Sequence, residues 1–369
     1  VDSNDGLRVV NSPEVLRRDS LHRGSIYCLS FSPDSSFIAT GSNDKIVRLL
    51  QLPPLGIETA SPLPEHTFHD NYGSGEATEG LLLRGHTGTV RDLCFPYCPP
   101  SESQFAAKSD DPGRLLTVGA GDFACRLWDV EGGVAAAGGG IGGGGGVGGG
   151  GSGTMGVRGG GGPGIAPLLL FRGHTATVFS CAMLSGGNVA ITGGADASVR
   201  MWDTRTGASI NSLATSAGEV LCVRPWPVDP DRVVATSHGD GSCFIWDLRT
   251  GRSLSSLFHH TDQTRALDFS ADGHSLLTAS YDGLAGVCRC RVPIDHVVGA
   301  REFPVGGRGG GGGVSVGEGP AASTLATLRA HRGRVLQVCW RPTDPPAFLT
   351  SSTDCSVLFW SLPQSYMRE

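Results

Sequence analysis

Six segments of the chain repeat one pattern, and this repetition constrains the fold more than any other feature. Each segment has a β-rich run, a turn of small residues closed by aspartate, and a second alternating run, as in AITGGADASVRMWD. The pattern is typical of a β-hairpin. The turn aspartates are Asp44, Asp122, Asp196, Asp240, Asp282 and Asp354. Six near-copies indicate a repeat architecture, since a reactive centre would occur only once.

An apolar run precedes every hairpin, and a histidine precedes most of these runs. The runs include SIYCLSF, TVRDLCF and TVFSCAM, and each predicts a further strand. The histidine lies 22 residues before the turn aspartate in three segments, 23 in a fourth and 36 in a fifth. The longer spacing is caused by the polar insert YCPPSESQFAAKSDDPG. These histidines are, in the same order, His22, His174, His260, His331 and His86.

Together these motifs resemble the WD40 family. Its marks are RGHTGTV and RGHTATV, with LWD, MWD and IWD at matched spacing over nearly the whole chain outside the glycine-rich inserts. The resemblance implies an all-β fold, a β-propeller whose four-stranded antiparallel blades surround a central channel.

For the recurring histidines and aspartates, the resemblance implies a structural brace rather than a catalytic site. In that fold the histidine, a Ser/Thr of the second strand, the turn aspartate and a third-strand Trp form a hydrogen-bonded chain. Two sets are complete: His174, Thr192, Asp196 and Trp202, and His331, Thr350, Asp354 and Trp360. Each of the other four sets lacks one of these residue types: Leu50 replaces Trp, Val118 replaces Thr, Ser216 replaces His and Cys288 replaces Trp. We expect no catalytic residues.

The sequence is compatible with two blade counts. The segment SNDGLRVVNSPEVLRRDSLH, ahead of the first repeat, reads as the third and outer strands of an earlier blade. We therefore expect seven blades in the parent protein, with six near-complete blades here. The alternative is a six-bladed ring in which residues 14–20 complete the last blade.

Residues 1–369 are predicted to form one propeller domain with three inserts. Residues 132–164 and 306–319 are so rich in glycine that we expect them to be disordered, because they cannot bury enough apolar surface to offset the entropy lost on ordering. Residues 52–79 form a Pro-rich loop.

Composition excludes several classes of function. The net charge of −6 argues against nucleic acid as a partner, and no apolar stretch has the roughly 20 residues that a membrane helix needs. Eleven scattered cysteines indicate reduced thiols. The spacing of Cys288 and Cys290 suggests a metal site, but we expect their side chains to point to opposite faces of a strand. No metal and no cofactor is expected.

Function is expected on the face near the channel mouth, which binds partners in many WD40 proteins. Three positions of each repeat point there: three and five residues after the histidine, and the one before the turn aspartate. Arginine and aromatic residues dominate protein interfaces, and here they favour an acidic peptide partner. The candidate residues are Tyr27, Asn43, Arg91, Phe179, Glu219, Arg265, Tyr281 and Arg334.

The sequences WDTR and WDLR suggest an alternative. The WDxR ending resembles the box by which WD40 substrate receptors bind the adaptor of cullin-4 ubiquitin ligases. That function would use Arg205 and Arg249, on the opposite face.

A narrower resemblance favours the cytoskeleton. GSIYCLSFSPDSSFIATGSNDKIVRLL, GTVRDLCF and FLTSSTDCSVLFW are similar to the C-terminal propeller of the nemitin family, WD-repeat proteins associated with microtubules and cilia. The resemblance implies a non-enzymatic scaffold in the cytoplasm, cytoskeleton or cilium. Its partners would be microtubule-associated proteins or tubulin, and the parent protein would oligomerise through regions outside this chain.

Overall fold

The computed structural model describes residues 22–34, 36–51, 81–96, 113–121, 123–130, 165–290, 322–341 and 347–361. The predicted inserts at 132–164 and 306–319, and the Pro-rich loop at 52–79, lie outside these residues. The predicted strands ahead of His22 also lie outside them.

The described residues form six antiparallel β-sheets that follow one another along the chain, as the repeats predict. We call them blades 1 to 6. Within each blade the strands pair in sequence order. Blade 1 contains β1 (Ile26–Phe31), β2 (Phe37–Ser42), β3 (Ile46–Gln51) and β4 (Leu81–Arg84). Blade 2 contains β5 (Val90–Cys94), β6 (Arg114–Gly119), β7 (Ala124–Asp129) and β8 (Leu169–Arg172).

The later blades keep the same order. Blade 3 contains β9 (Val178–Met183), β10 (Val189–Gly194), β11 (Ser198–Asp203) and β12 (Ser209–Ala214), with a short 3-10 turn at Ser185–Gly187. Blade 4 contains β13 (Val220–Pro225), β14 (Val233–His238), β15 (Cys243–Asp247) and β16 (Arg252–Leu257). Blade 5 contains β17 (Thr264–Phe269), β18 (Ser275–Ser280), β19 (Ala285–Cys290) and β20 (Ala322–Leu328). Blade 6 has three described strands, β21 (Val335–Trp340), β22 (Ala347–Ser352) and β23 (Val357–Ser361).

In the five blades whose turn aspartate lies among the described residues, this aspartate has a local conformational task. The residue that follows it has a positive φ in every blade, and this residue is glycine in only two of them. The carboxylate compensates for the strained backbone, because one of its oxygens accepts the N–H two residues further on. In blade 3, Ser198 N donates to Asp196 Oδ1 at 3.2 Å, and in blade 4, Ser242 N donates to Asp240 Oδ1 at 2.9 Å. Aspartate therefore closes the hairpin in a way that an apolar residue would not.

Five apolar clusters hold the blades together, and each lies between two successive blades. The junction of blades 3 and 4 shows the construction. Ile191 and Val199 of blade 3 pack with Val220 and Val223 of blade 4, and all four are fully buried. The core of this protein is therefore divided among its blade junctions.

The Gly193→Ala variant tests how tightly a junction is packed. A Cβ at Gly193 would lie 2.4 Å from Val220 Cγ1 and 2.8 Å from Val223 Cγ2. We expect this overpacking to lower the free energy of unfolding by about 1–3 kcal/mol, measured from urea-unfolding midpoints. Gly239→Ala is the matched control, because the nearest atom to its added Cβ is 3.7 Å away. Equal midpoints for the two variants would contradict the packing described.

Candidate functional site

In blade 3 the four predicted brace residues form one continuous hydrogen-bonded chain. Trp202 Nε1 donates to Thr192 Oγ1 at 2.9 Å, and Thr192 Oγ1 lies 2.8 Å from His174 Nε2. His174 Nδ1 lies 2.9 Å from Asp196 Oδ2. Because a carboxylate only accepts, Nδ1 carries the proton, and the Thr192 hydroxyl donates to Nε2. The order of donation is therefore Trp, Thr, His, Asp.

This chain keeps the imidazole neutral. Burial lowers the pKa of His174, and the neighbouring Asp196 carboxylate opposes that shift only in part. The pKa of Asp196 is also lowered, because hydrogen bonds from Ser198, Thr175 and His174 outweigh the effect of burial. Both groups have their full hydrogen-bond complement inside the blade, an arrangement suited to bracing rather than to proton transfer with a substrate.

Blade 6 repeats the arrangement. His331 Nδ1 lies 3.2 Å from Asp354 Oδ2, and His331 Nε2 lies 2.7 Å from Thr350 Oγ1. Trp360 Nε1 donates to the same hydroxyl at 2.9 Å. Blade 1 keeps the His22, Thr40 and Asp44 contacts, and Leu50 stands where blades 2, 3, 4 and 6 have Trp.

The expectation that Val118 replaces the threonine of blade 2 was wrong. Thr117 takes that role, since its Oγ1 lies 2.7 Å from His86 Nε2 and accepts a hydrogen bond of 2.8 Å from Trp128 Nε1. The turn between the second and third strands is one residue longer here, so the threonine is 11 residues from the tryptophan, against 10 in blade 3. Val118 is instead buried in the junction with blade 3.

Two histidines that the sequence analysis missed complete the defective sets. In blade 4, where Ser216 stands for histidine, His238 Nε2 lies 2.9 Å from Thr236 Oγ1. In blade 5, where Cys288 stands for Trp, His259 Nε2 lies 2.8 Å from Thr278 Oγ1, opposite His260. Burial lowers the pKa of His238 and of His259 to about 4 in each case. The available signal was a second histidine close in sequence to a retained member of the set: His238 is two residues from Thr236, and His259 adjoins His260.

Four of the eight predicted mouth residues lie on bulges of the innermost strands. The register between first and second strands shifts by one residue in all six blades, so that one residue is left out of the pairing. A bulge re-aims the side chain of its extra residue. The extra residues are Tyr27, Arg91, Phe179, Leu221, Arg265 and Leu336.

Three arginines among the predicted mouth residues lie over aromatic rings, and two of them, Arg91 and Arg265, are bulge residues. The Cζ of Arg91 is 5.2 Å from the Tyr27 ring centroid, between adjacent blades. Arg334 is 4.9 Å from the centroid of Tyr281, again between adjacent blades. The Arg265 guanidinium reaches past blade 4, donates to the carbonyl of Leu221 at 3.2 Å, and lies 5.9 Å from the Phe179 centroid.

The two remaining mouth candidates are not part of these pairs. Asn43 is exposed and its side chain lies close to Gly24, while Glu219 is exposed beside the turn of blade 4. We define the mouth surface as the six paired residues: Tyr27, Arg91, Phe179, Arg265, Tyr281 and Arg334.

The two WDxR arginines lie at the other end of the third strands. These strands begin at the turn aspartates and end at the WD pair, so Arg205 and Arg249 lie away from the mouth surface. Both have the same backbone geometry, because Arg205 N donates to Asp203 Oδ1, and Arg249 N to Asp247 Oδ1, at 2.9 Å. The Arg205 side chain is 72% exposed.

The cysteine expectation needs one correction. Cys288 and Cys290 pack in the same apolar cluster, because residues two apart in a strand share a face. Burial raises the pKa of both thiols. Within the described ranges, no group of three or more His, Cys, Asp or Glu side chains is placed to hold a metal, and no helix is both long and apolar enough to span a bilayer.

Comparison with known proteins assigns the family. The family described as WD domain, G-beta repeat, matches residues 14–50, 166–203, 207–247, 251–287 and 322–361. The chain belongs to the WD40 family. The first three strands of blade 2, with the insert between β5 and β6, are outside the matched residues, but this blade has the same strand order and a Trp–Thr–His chain.

Individual relatives match over short stretches. The chain is 34% identical to Protein hir1 of Aspergillus fumigatus over 93 residues, which are 24% of this chain and 8% of that protein. It is 33% identical to Ribosome biogenesis protein YTM1 of Laccaria bicolor over 133 residues, which are 35% of this chain and 29% of that protein. Protein HIR1 of Aspergillus oryzae is 32% identical over 91 residues, 24% of this chain and 8% of that protein. These matches cover well under half of each relative.

The substituted brace of blade 4 predicts a dependence of stability on pH. The pKa of His238 is about 4 in the folded protein and about 6.5 in an unfolded chain, so the unfolded state takes up a proton first as pH falls. His238 therefore contributes stability above pH 6.5 that is lost between pH 6.5 and 4. We expect His238→Gln to reduce the loss of unfolding free energy between pH 7 and pH 5 by on the order of 1–2 kcal/mol.

Urea titrations at the two pH values measure this difference. His274→Gln is the control, because His274 is exposed. If both variants lose as much stability as the natural sequence, His238 is not the group that titrates.

Proposed function

We propose that this propeller is a non-enzymatic scaffold that binds acidic peptide segments of partner proteins on its mouth surface. The observation that carries the proposal is the placement of three Arg–aromatic pairs on the bulged ends of the blades. These side chains come from blades 1, 2, 3, 5 and 6, so the surface exists only when the blades are assembled.

The pairs supply what an acidic peptide needs. A guanidinium that lies over a ring can bind a carboxylate through its remaining N–H groups; in Arg265 one of these groups already donates to the Leu221 carbonyl. The ring also restricts the arginine beforehand, which reduces the entropy lost on binding. Because the chain has a net charge of −6, these arginines form a local positive region on an acidic protein.

The nemitin resemblance supports microtubules or microtubule-associated proteins as the partners, and with them a cytoplasmic, cytoskeletal or ciliary location. An acidic microtubule surface would match the charge of the mouth surface. The name of the YTM1 relative points instead to ribosome biogenesis, and its match extends over 29% of that protein.

Microtubule co-sedimentation tests the first setting. We expect the triple variant Arg91→Ala, Arg265→Ala, Arg334→Ala to bind about tenfold more weakly, through loss of several charge contacts of under 1 kcal/mol each. The control variant Arg205→Ala, Arg249→Ala, Arg252→Ala removes the same charge elsewhere and should bind as the natural sequence does. Binding reduced equally by both variants would show a non-specific charge effect, and binding unchanged by the first would remove the mouth surface from the interaction.

The matched geometry of the WDxR arginines supports a second candidate function, substrate reception for a cullin-4 ubiquitin ligase. Arg205 and Arg249 leave successive blades from identical aspartate-capped turns. Arg205 also lines a cleft with Arg114, Asp203 and Ile210, and Ile210 is an exposed apolar side chain.

Capture of the ligase adaptor by the purified protein tests this candidate. We expect Arg205→Ala with Arg249→Ala to abolish capture, because both guanidinium groups would contact the adaptor. Arg252→Ala, a change to an exposed arginine outside the motif, is the control. If the natural sequence captures no adaptor, or the double variant captures as much as the control, this function is excluded.

A further inference from the structure

Two thiols from neighbouring blades touch at the junction of blades 2 and 3. Cys94 is the last residue of β5, Cys181 lies within β9, and their Sγ atoms are 3.7 Å apart. Cys181 belongs to the apolar cluster between the two blades, and Cys94 packs against that cluster. Both thiols are free. Their sulfur atoms would have to approach by about 1.7 Å to reach the length of a disulfide bond.

Hydrogen bonds between the two blades hold this contact in place. Asp92 of β5 reaches across the junction, where its Oδ2 accepts from Cys181 N at 3.1 Å and from Ser180 Oγ at 2.8 Å. Hydrogen bonds to a carboxylate are stronger than those between neutral groups. Because the two strands are fixed against each other, a reaction between the two sulfur atoms has the high effective concentration of an intramolecular process.

The two thiols differ in their access to a small oxidant. Cys94 is half-buried, whereas Cys181 is only 1% exposed. Burial raises the pKa of the Cys181 thiol, and the adjoining Cys94 thiol raises it further. A buried thiol with a raised pKa is protected from direct oxidation. Cys94 therefore meets the oxidant first, and Cys181 is placed to react with the oxidised sulfur.

We propose that Cys94 and Cys181 form a site of reversible oxidation, at which hydrogen peroxide joins blades 2 and 3 through a disulfide bond. The Cys94 sulfur attacks one peroxide oxygen, the O–O bond breaks, and a sulfenic acid forms with release of one water. The Cys181 sulfur then attacks the Cys94 sulfur, and the S–O bond breaks. The departing hydroxide takes the Cys181 proton and leaves as a second water. The two thiols thus supply the two electrons that reduce one peroxide to two waters.

The disulfide would change the coupling between the two blades. It would close a loop between residues 87 positions apart, which restricts the unfolded chain and so favours the assembled junction. The bond would also lie close to the mouth surface, because Arg91 and Phe179 are the bulge residues of the same two strands. Oxidation would therefore fix the spacing of β5 and β9 below these residues. The inference does not depend on which partner the mouth surface binds.

Peptide mapping of the purified protein tests the site. The reduced protein is treated with hydrogen peroxide, its remaining thiols are alkylated, and it is digested with trypsin. We expect a disulfide between peptide 92–108, which contains Cys94 and Cys98, and peptide 173–200, in which Cys181 is the only cysteine. Cys98→Ser is the matched control and should keep the linked peptides, whereas Cys94→Ser should lose them.

Three results would overturn the proposal. The first is the absence of linked peptides from the oxidised natural sequence, and the second is their loss in Cys98→Ser. The third is a bond from Cys181 to the fully buried Cys125, which would appear in peptide 115–126 instead. Mixing isotopically labelled and unlabelled protein separates a bond within one chain, which we expect, from a bond between two chains, which would also contradict the proposal.

Urea unfolding measures the effect of the bond on the junction. We expect the oxidised natural sequence to unfold at a higher urea concentration than the reduced one, and dithiothreitol to reverse this shift. Cys94→Ser should unfold at the same urea concentration before and after peroxide, which also controls for oxidation of other side chains. An unchanged midpoint in natural protein that contains the bond would overturn the proposed coupling of blades 2 and 3.

Discussion

The structure depends on one buried interaction, the hydrogen bond between a turn carboxylate and the imidazole above it. One oxygen of Asp196 fixes the hairpin turn, and the other accepts the proton of His174. The imidazole then fixes Thr192, and through it Trp202. A single carboxylate thus connects a local turn to the centre of a blade. Loss of one partner would leave a buried polar group unsatisfied, at a cost of about 1–3 kcal/mol.

The brace tolerates substitution because its central hydroxyl accepts and donates in several ways. His238 supplies an imidazole to Thr236 from the same strand, and His259 donates to Thr278 in place of an indole. In both cases the hydroxyl keeps two partners. The buried threonine hydroxyl must keep its hydrogen-bond partners, and a residue at a different sequence position can supply one of them.

The mouth surface follows from the same architecture. Each innermost strand has a bulge near its start, which leaves one residue out of the backbone pairing and re-aims its side chain. Arg91 and Tyr27 stand on two such bulges, and the blade-to-blade spacing places one over the other. The bulges therefore position four of the six residues proposed to bind partners, Tyr27, Arg91, Phe179 and Arg265.

The sequence by itself determined the hairpins, the turn aspartates and the brace of blade 3, because these depend on contacts within one repeat at fixed spacing. It did not predict the role of Thr117, because the turn of blade 2 is one residue longer. It also did not predict the role of His259, which contacts Thr278 in the blade where Cys288 replaces Trp. Only the tertiary structure decided that Arg265 reaches Phe179 across an intervening blade, since that distance is set by how successive blades pack. Sequence spacing within one repeat determines the contacts inside a blade, whereas the packing at the junctions determines the contacts between blades.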